Sequence, residues 1–267
     1  MMRFTGLGDD PPGVQFFEID AEAASLWRLP RRVPIRSEDA DLTEADPATI
    51  ARGIQRLLAH QPGHPDAPAL LRFARKQERD LWNAVADARD QRDWRALIRH
   101  LEIAIGIDPE DARALSDLAF AYRRTAPARG KQATRLFKLA EQTYRRAIAL
   151  APDLPQAQTG LGGLLVETDR PEEALPLLEH SLKVRTDQPS ASFYLGRAYG
   201  ATGDDKRARE HLEAAIAAVP NDPRPRFYLS VALARLGDEA GAATELARAM
   251  ALNPDLVRAM QAAERGE

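Results

Sequence analysis

The sequence contains no cysteine, few aromatic residues and no excess of either charge. The absence of cysteine excludes disulfide bonds, thiol catalysis and cysteine-ligated zinc. A formal net charge of −3 argues against binding of nucleic acid, which requires a clear basic excess. No apolar run reaches the roughly 18 residues of a membrane span, and the N-terminal residues lack a signal-peptide pattern. These absences predict a soluble, cytoplasmic protein that does not act at a membrane.

Catalytic and metal-binding patterns are also missing. Of the five histidines, only His60 and His64 lie close together in the sequence, and no third ligand stands near them. There is no glycine-rich phosphate loop and no nucleophile elbow. We therefore predict no catalytic residue, no metal, no cofactor and no enzyme activity.

What is present is helical in character. Hydrophobic residues make up 44% of the chain while aromatic residues make up 6%, and alanine and leucine are plentiful. This composition favours an all-α protein whose helices cross closely at small residues. Arginine exceeds lysine, which is typical of GC-rich bacterial genes and points to a bacterial source.

A leucine followed by a small residue recurs at a step of 34 residues, at Leu161-Gly162, Leu195-Gly196 and Leu229-Ser230. Three further positions keep the same step: Ala174, Ala208 and Ala242; Leu178, Leu212 and Leu246; and Ser181, Ala215 and Ala249. This period and this order of small and large residues resemble the tetratricopeptide repeat (TPR) family. The resemblance implies an all-α, right-handed α-solenoid of helix hairpins, and a protein that binds other proteins.

The repeats divide the sequence into four parts. Residues 1–46, rich in proline and without helical periodicity, are predicted to form an extended or partly disordered N-terminal arm. Residues 47–111 are predicted to form N-terminal helices, including a degenerate TPR-like repeat with a helix over 94–107. Residues 112–254 contain four TPR repeats, and residues 255–267 a capping helix and tail. A cap is expected because the last repeat would otherwise expose an apolar face.

The first of the four repeats is interrupted. Leu118 and Ala140 are 22 residues apart, whereas the equivalent Leu161 and Ala174 are 13 residues apart. The additional nine residues predict an insertion near residues 126–134. Insertions in solenoids map to surface loops, so we expect a loop there. The basic residues around this repeat are interpreted either as a solvated face or as a site for an acidic partner, RNA or the chain's own acidic run over Glu38–Asp46. These basic residues are Arg123, Arg124, Arg129, Lys131, Arg135, Lys138, Arg145 and Arg146.

The resemblance also implies a binding site, because in TPR proteins the first helix of each repeat lines a concave groove. Exposed residues of that helix follow a stripe with spacings of three and four. Carried over to this sequence, the predicted peptide-binding groove consists of Phe120, Arg123, Arg124, Gly160, Gly163, Phe193, Tyr194, Arg197, Arg224, Phe227, Tyr228 and Arg235.

The chemistry of these residues suits a particular ligand. The pair Phe193-Tyr194 returns as Phe227-Tyr228, and arginines flank both pairs. Such residues favour a peptide with acidic and apolar side chains. We expect Gly160 and Gly163 to let a ligand backbone approach closely. The alternative is that the aromatic residues pack between adjacent helices.

The leading functional prediction is a non-catalytic adaptor that binds a peptide segment of a partner protein in this groove. One alternative is a self-assembling scaffold, a homo-oligomer held together by Phe16-Phe17 and Leu26-Trp27 of the arm. Another is an accessory or regulatory subunit of a biosynthetic or secretion enzyme complex, docked through the same arm. The fold by itself does not choose among them.

Overall fold

The computed structural model describes residues 3–4, 14–18, 32–36, 67–127 and 130–264. Within the chain there are two compact units, Met1–Ala114 and Leu115–Glu267. The first part of the predicted N-terminal helices, residues 47–66, lies outside the described residues. No helix in the described part of the chain is both long enough and apolar enough to cross a lipid bilayer.

The first unit contains a small sheet and a helix pair. Strands β1 (Arg3–Phe4), β2 (Val14–Glu18) and β3 (Arg32–Arg36) form an antiparallel sheet in that order. The proline-rich sequence did not predict these strands. Helices α1 (Ala67–Asp90) and α2 (Trp94–Ile107) follow and pack together. The range of α2 is the one predicted for the degenerate repeat.

The second unit is built from helix hairpins. Helix α3 (Ala112–Thr125) begins three residues before the unit boundary and is followed by α4 (Lys131–Leu150). The remaining helices are α5 (Pro155–Glu167), α6 (Pro171–Val184), α7 (Pro189–Ala201), α8 (Asp205–Ala218), α9 (Pro223–Arg235), α10 (Glu239–Leu252) and α11 (Pro254–Glu264). Helices α5 to α10 pair as three successive hairpins. This arrangement confirms the predicted α-solenoid.

The recurring small residues lie where the two helices of a hairpin cross. A Cβ atom at Gly162 would stand 2.5 Å from Cγ of Leu178, and one at Gly196 would stand 2.5 Å from Cγ of Leu212. Both leucines are fully buried. The close approach of the helices therefore requires glycine at these positions, because protein interiors leave no room for an extra methyl group.

The turns inside the hairpins place one residue in the left-handed backbone region. Gly203 and Gly237 have φ values of 86° and 83°, and Asp169 has a φ of 60° in the equivalent turn of the preceding hairpin. Aspartate tolerates this conformation better than most residues. The turns that contain glycine are followed by the helix caps Asp204 and Asp238, whose side chains accept hydrogen bonds from backbone N–H groups of the next helix.

The turn between α6 and α7 has Thr186 where the later repeats have proline, and its closing contacts come from a side chain instead. The amide nitrogen of Gln188 donates to the carbonyl oxygens of Ser181 and Arg185, both at 2.7 Å. The hydroxyls of Thr159 and Ser181, 2.8 Å apart, complete a buried polar network with this amide. Gln188 thus satisfies the carbonyl group of Arg185, which the end of α6 leaves without a helical partner, and gives the Ser181 carbonyl a second donor beside the backbone N–H of Arg185.

The interrupted repeat takes up its additional residues largely as helix. Helix α4 has 20 residues, whereas α6, α8 and α10 have 14 each. Lys131 begins α4, so the second half of the predicted 126–134 loop is helical. The expectation of a loop across this whole range was wrong, because the added residues continue the helical pattern of α4 toward its N-terminus.

The C-terminal helix covers the last repeat. Val257 of α11 is fully buried and forms an apolar cluster with Phe227 and Ala249, against which Leu246 and Met260 pack. Helix α11 thereby confirms the predicted capping helix.

Candidate peptide-binding groove

Arg123 of α3 joins three first helices of consecutive repeats. Its Nε donates to Oε2 of Glu167 at 2.7 Å, and one terminal nitrogen donates to Oε1 of the same carboxylate at 2.5 Å. That nitrogen also donates to the hydroxyl of Tyr194, and the other terminal nitrogen lies 3.4 Å from the carbonyl oxygen of Gly160. The Arg123 side chain is only 10% exposed. Every nitrogen of this guanidinium therefore already has a protein partner.

The pKa of Arg123 reflects the same hydrogen-bond network. Burial by itself would lower the pKa of Arg123, but the hydrogen bonds to Glu167 and the charge of that carboxylate raise it well above its ordinary value. Burial also raises the pKa of the neighbouring Tyr144 hydroxyl. Both groups keep the protonation state that this network requires across the physiological pH range.

The two glycines predicted to admit a ligand backbone instead make room for tyrosine rings. A Cβ atom at Gly163 would lie 2.7 to 2.9 Å from ring atoms of Tyr194, and one at Gly160 would overlap the ring of Tyr144. Tyr144 is buried and Tyr194 is half-buried. The expectation of an open surface at these glycines was wrong, because the chain's own side chains fill the space.

The two phenylalanines follow the packing alternative. Phe227 is 3% exposed and belongs to the apolar cluster under α11, so it was wrongly assigned to the groove surface. Phe193 is 7% exposed and contacts Tyr194 and Tyr228, with ring centroids 5.1 and 5.9 Å away. Phe193 therefore forms the floor beneath the half-buried tyrosines.

Arg197 of α7 lies on this aromatic floor. Its guanidinium carbon is 4.6 Å from the ring centroid of Tyr228 and 5.8 Å from that of Phe193. Stacking on aromatic rings attracts a guanidinium and fixes its plane. Within residues 67–127 and 130–264, no carboxylate or carbonyl group accepts a hydrogen bond from Arg197. Its N–H groups are consequently available to a ligand.

The remaining arginines of the predicted groove differ in their partners. Arg224 lies 5.3 Å from the ring centroid of Phe193 and donates to both carboxylate oxygens of Asp222. Arg235 donates to the carbonyl oxygen of Gly200 at 2.7 Å. Arg124 is exposed, and Phe120 of the same helix is 40% exposed.

Glu167 was not among the residues predicted to bind a peptide, although the repeat register places it in the groove. It lies on the predicted stripe of α5, but its partner Arg123 is 44 residues away. Repeat register predicts which residues face a groove and does not predict which of them pair across it. A signal was nevertheless present, since Glu167 is an acidic residue on a stripe that is otherwise rich in arginine.

Some predictions concern residues whose side chains are not described. Leu26-Trp27 lies outside the described residues, and for Phe16-Phe17 the structure describes the backbone of β2 alone. The two alternatives that depend on the arm therefore remain predictions.

The rest of the described chain offers few alternative sites. Among the side chains that the structure describes, no group of three or more His, Asp or Glu is arranged to hold a metal ion. A cavity of about 570 Å³ lies among α8, α9 and α10, and none of the predicted groove residues lines it. The side chains of Arg226 and Glu245 form an ion pair of 2.8 Å at this cavity.

Family models and solved structures agree with this architecture. Two models of the tetratricopeptide repeat match, one over residues 125–191 and the other over residues 165–226. No curated protein matches the chain. A structure of MamA from its residue 41 to its end, from Desulfovibrio magneticus RS-1, is similar, with a TM-score of 0.53, 18% identity, and coverage of 66% of this chain and 95% of that chain.

YrrB, described as a TPR protein with an unusual peptide-binding site, is also similar. Its TM-score is 0.51 at 17% identity, with coverage of 80% of this chain and 99% of YrrB. At these identities the likeness establishes the fold alone. Together with the 34-residue register and the observed hairpins, the two models show that residues 125–226 of this chain consist of tetratricopeptide repeats.

Proposed function

We propose that the chain is a non-catalytic adaptor that binds a peptide segment of a partner protein on the surface formed by α7 and α9. The observation that carries this proposal is the environment of Arg197. Its guanidinium stacks on Tyr228 and Phe193 and has no hydrogen-bond acceptor among the described residues. Arginine and tyrosine held in this way are typical of residues that dominate binding energy at interfaces.

The shape and chemistry of this surface suit a segment with both acidic and apolar side chains. Phe193 provides a buried apolar floor, and Tyr194 and Tyr228 present half-buried rings beside it. Arg197 and Arg224 place positive charge over the same floor. An aromatic surface flanked by arginines binds apolar side chains by burial and acidic side chains by charge-assisted hydrogen bonds.

A selection from a library of random 12-residue peptides tests this proposal. Peptides that bind the wild-type chain are measured by fluorescence anisotropy against Arg197→Ala and against Arg209→Ala. Arg209 of α8 is a matched control, since it is an exposed arginine whose nearest carboxylate, on Glu213, is 3.6 Å away. Circular dichroism confirms that each variant is folded.

We expect Arg197→Ala to weaken binding at least about tenfold, the size of a typical hot-spot effect, and Arg209→Ala to leave it unchanged. Binding that survives Arg197→Ala would place the peptide elsewhere on the chain. Loss of binding in Arg209→Ala alone would identify the cavity among α8, α9 and α10 as the site, because Arg209 lines it.

A further inference from the structure

Two arginines of the predicted groove have opposite environments. A guanidinium has five N–H donors and no acceptor. Those of Arg123 are directed at Glu167, Tyr194 and the carbonyl group of Gly160. A ligand carboxylate that approached Arg123 would meet the negative charge of Glu167, and it would have to displace a bidentate ion pair.

Arg197 presents the reverse situation. Its described contacts are with the rings of Tyr228 and Phe193, and no described group accepts a hydrogen bond from its N–H groups. A planar guanidinium that is already oriented loses little side-chain entropy when it binds a carboxylate. Arg224, the other arginine over Phe193, is bound to Asp222.

We propose that the groove has one acid-binding position, at Arg197, and that Glu167 closes a second position by occupying Arg123. Glu167 is then a specificity-determining residue, because its carboxylate takes the place that a second acidic side chain of a ligand would fill. This inference rests on the proposed function in one respect only, that the surface of α7 and α9 is where a peptide binds.

A blocked tripeptide with a single charge is the probe. Acetyl-Leu-Glu-Leu-amide carries one carboxylate, and acetyl-Leu-Gln-Leu-amide is its neutral match. Each is titrated into the full chain at pH 6, and the side-chain Nε–H resonances of arginine are followed by two-dimensional NMR. The resonances are assigned with single Arg→Lys variants, and this method detects binding in the millimolar range.

In the wild-type chain we expect the glutamate peptide to shift the resonance of Arg197 saturably, and the resonances of Arg123 and the control Arg209 to stay in place. The affinity for the glutamine peptide should be at least about fivefold lower, the effect of one charge-assisted hydrogen bond at a partly exposed site. No saturable shift at Arg197, equal affinities for the two peptides, or an equal shift at Arg123 would each overturn the inference.

The role of Glu167 is tested by removing its carboxylate. In Glu167→Ala we expect the resonance of Arg123 to respond to the glutamate peptide while the response of Arg197 is retained. Glu167→Gln is the second variant, in which the charge is lost and the side-chain length is kept. An Arg123 that stays unresponsive in a folded variant would show that Glu167 does not close this position.

The two proposals fail in different ways. If library peptides bind through Arg197 and show no preference for glutamate over glutamine, the adaptor function stands and the acid-binding position is wrong. If the tripeptide titration succeeds and no library peptide binds at this surface, the chemistry of Arg197 stands and the adaptor function is wrong.

Discussion

Arg123 and Arg197 both lie on first helices of repeats, on the stripe that the repeat register assigns to the groove. Arg123 is buried in a network with Glu167 and Tyr194 that spans three helices. Arg197 lies on aromatic rings and has no described acceptor. The same residue type on the same predicted stripe, at different repeat positions, therefore has a structural role in one repeat and is available to a ligand in another.

The difference comes from the residues around each arginine. Glu167 supplies a carboxylate beside Arg123, whereas Phe193 and Tyr228 supply apolar ring faces beside Arg197. Breaking a buried ion pair leaves an uncompensated charge, while removing a stacked arginine leaves rings that remain packed. Measuring the free energy of unfolding after each arginine is replaced therefore tests this difference.

The largest expected effect is that of Arg123→Ala. It removes the partner of Glu167 and the donor to Tyr194, and we expect the free energy of unfolding to fall by about 3 kcal/mol, the lower end of the range for a buried pair because Glu167 is 33% exposed. Urea denaturation followed by circular dichroism measures this change. Arg209→Ala should stay within about 0.5 kcal/mol of the wild type. A loss below about 1 kcal/mol for Arg123→Ala would contradict a structural role.

The next effect concerns the packing that positions Tyr194 against Arg123. In Gly163→Ala the new methyl group would meet the Tyr194 ring at 2.7 to 2.9 Å, and we expect a loss of about 2 kcal/mol from overpacking. Gly200→Ala is the matched control, because its methyl group would lie 3.7 Å from Cβ of Ala208, an ordinary contact. Helix propensity should then make Gly200→Ala neutral or more stable by up to about 1 kcal/mol. Equal melting temperatures for Gly163→Ala and Gly200→Ala would show that the Tyr194 ring can move to another position without loss of stability.

The sequence predicts the hairpin register well because that register depends on side-chain volume at the helix crossings. Gly162 and Gly196 must be small since Leu178 and Leu212 fill the space beside them, and this requirement recurs in two successive hairpins. The capping helix follows from the same reasoning, because an uncovered last repeat would expose Phe227 and its neighbours.

The groove is less predictable, because the repeat register shows which way a side chain faces and does not show which residue it contacts there. A glycine on the predicted stripe gives the same sequence pattern whether a ligand or a tyrosine ring fills the space beside it, as Gly160 and Gly163 show. The pairing of Arg123 with Glu167 depends on the packing angle between repeats, which a single sequence does not specify. The strands of the arm were missed since proline is usually excluded from strand interiors, although Pro34 lies within β3.

Gln188 extends the comparison to a buried network that holds no ion pair. In Gln188→Ala the carbonyl group of Arg185 loses its donor, the Ser181 carbonyl keeps only the backbone N–H of Arg185, and the buried hydroxyl of Ser181 loses its amide partner. We expect a loss of about 1.5 kcal/mol, typical of buried polar groups left without a partner, again measured by urea denaturation. Gln188→Met keeps a similar length and removes the donor without adding a charge beside Arg185, so it should cost nearly as much. A methionine variant as stable as the wild type would show that the side-chain volume in this turn matters more than the hydrogen bonds that Gln188 makes.

The smallest effect on stability should come from Arg197→Ala, and it bears most directly on function. The variant loses only contacts with the ring faces of Tyr228 and Phe193, so we expect the free energy of unfolding to change by less than about 1 kcal/mol. Together with the expected loss of peptide binding, that result would separate Arg197 from Arg123. A destabilisation above about 2 kcal/mol would mean that Arg197 supports the fold as Arg123 does, and the surface of α7 and α9 would then lack an arginine free to bind a ligand.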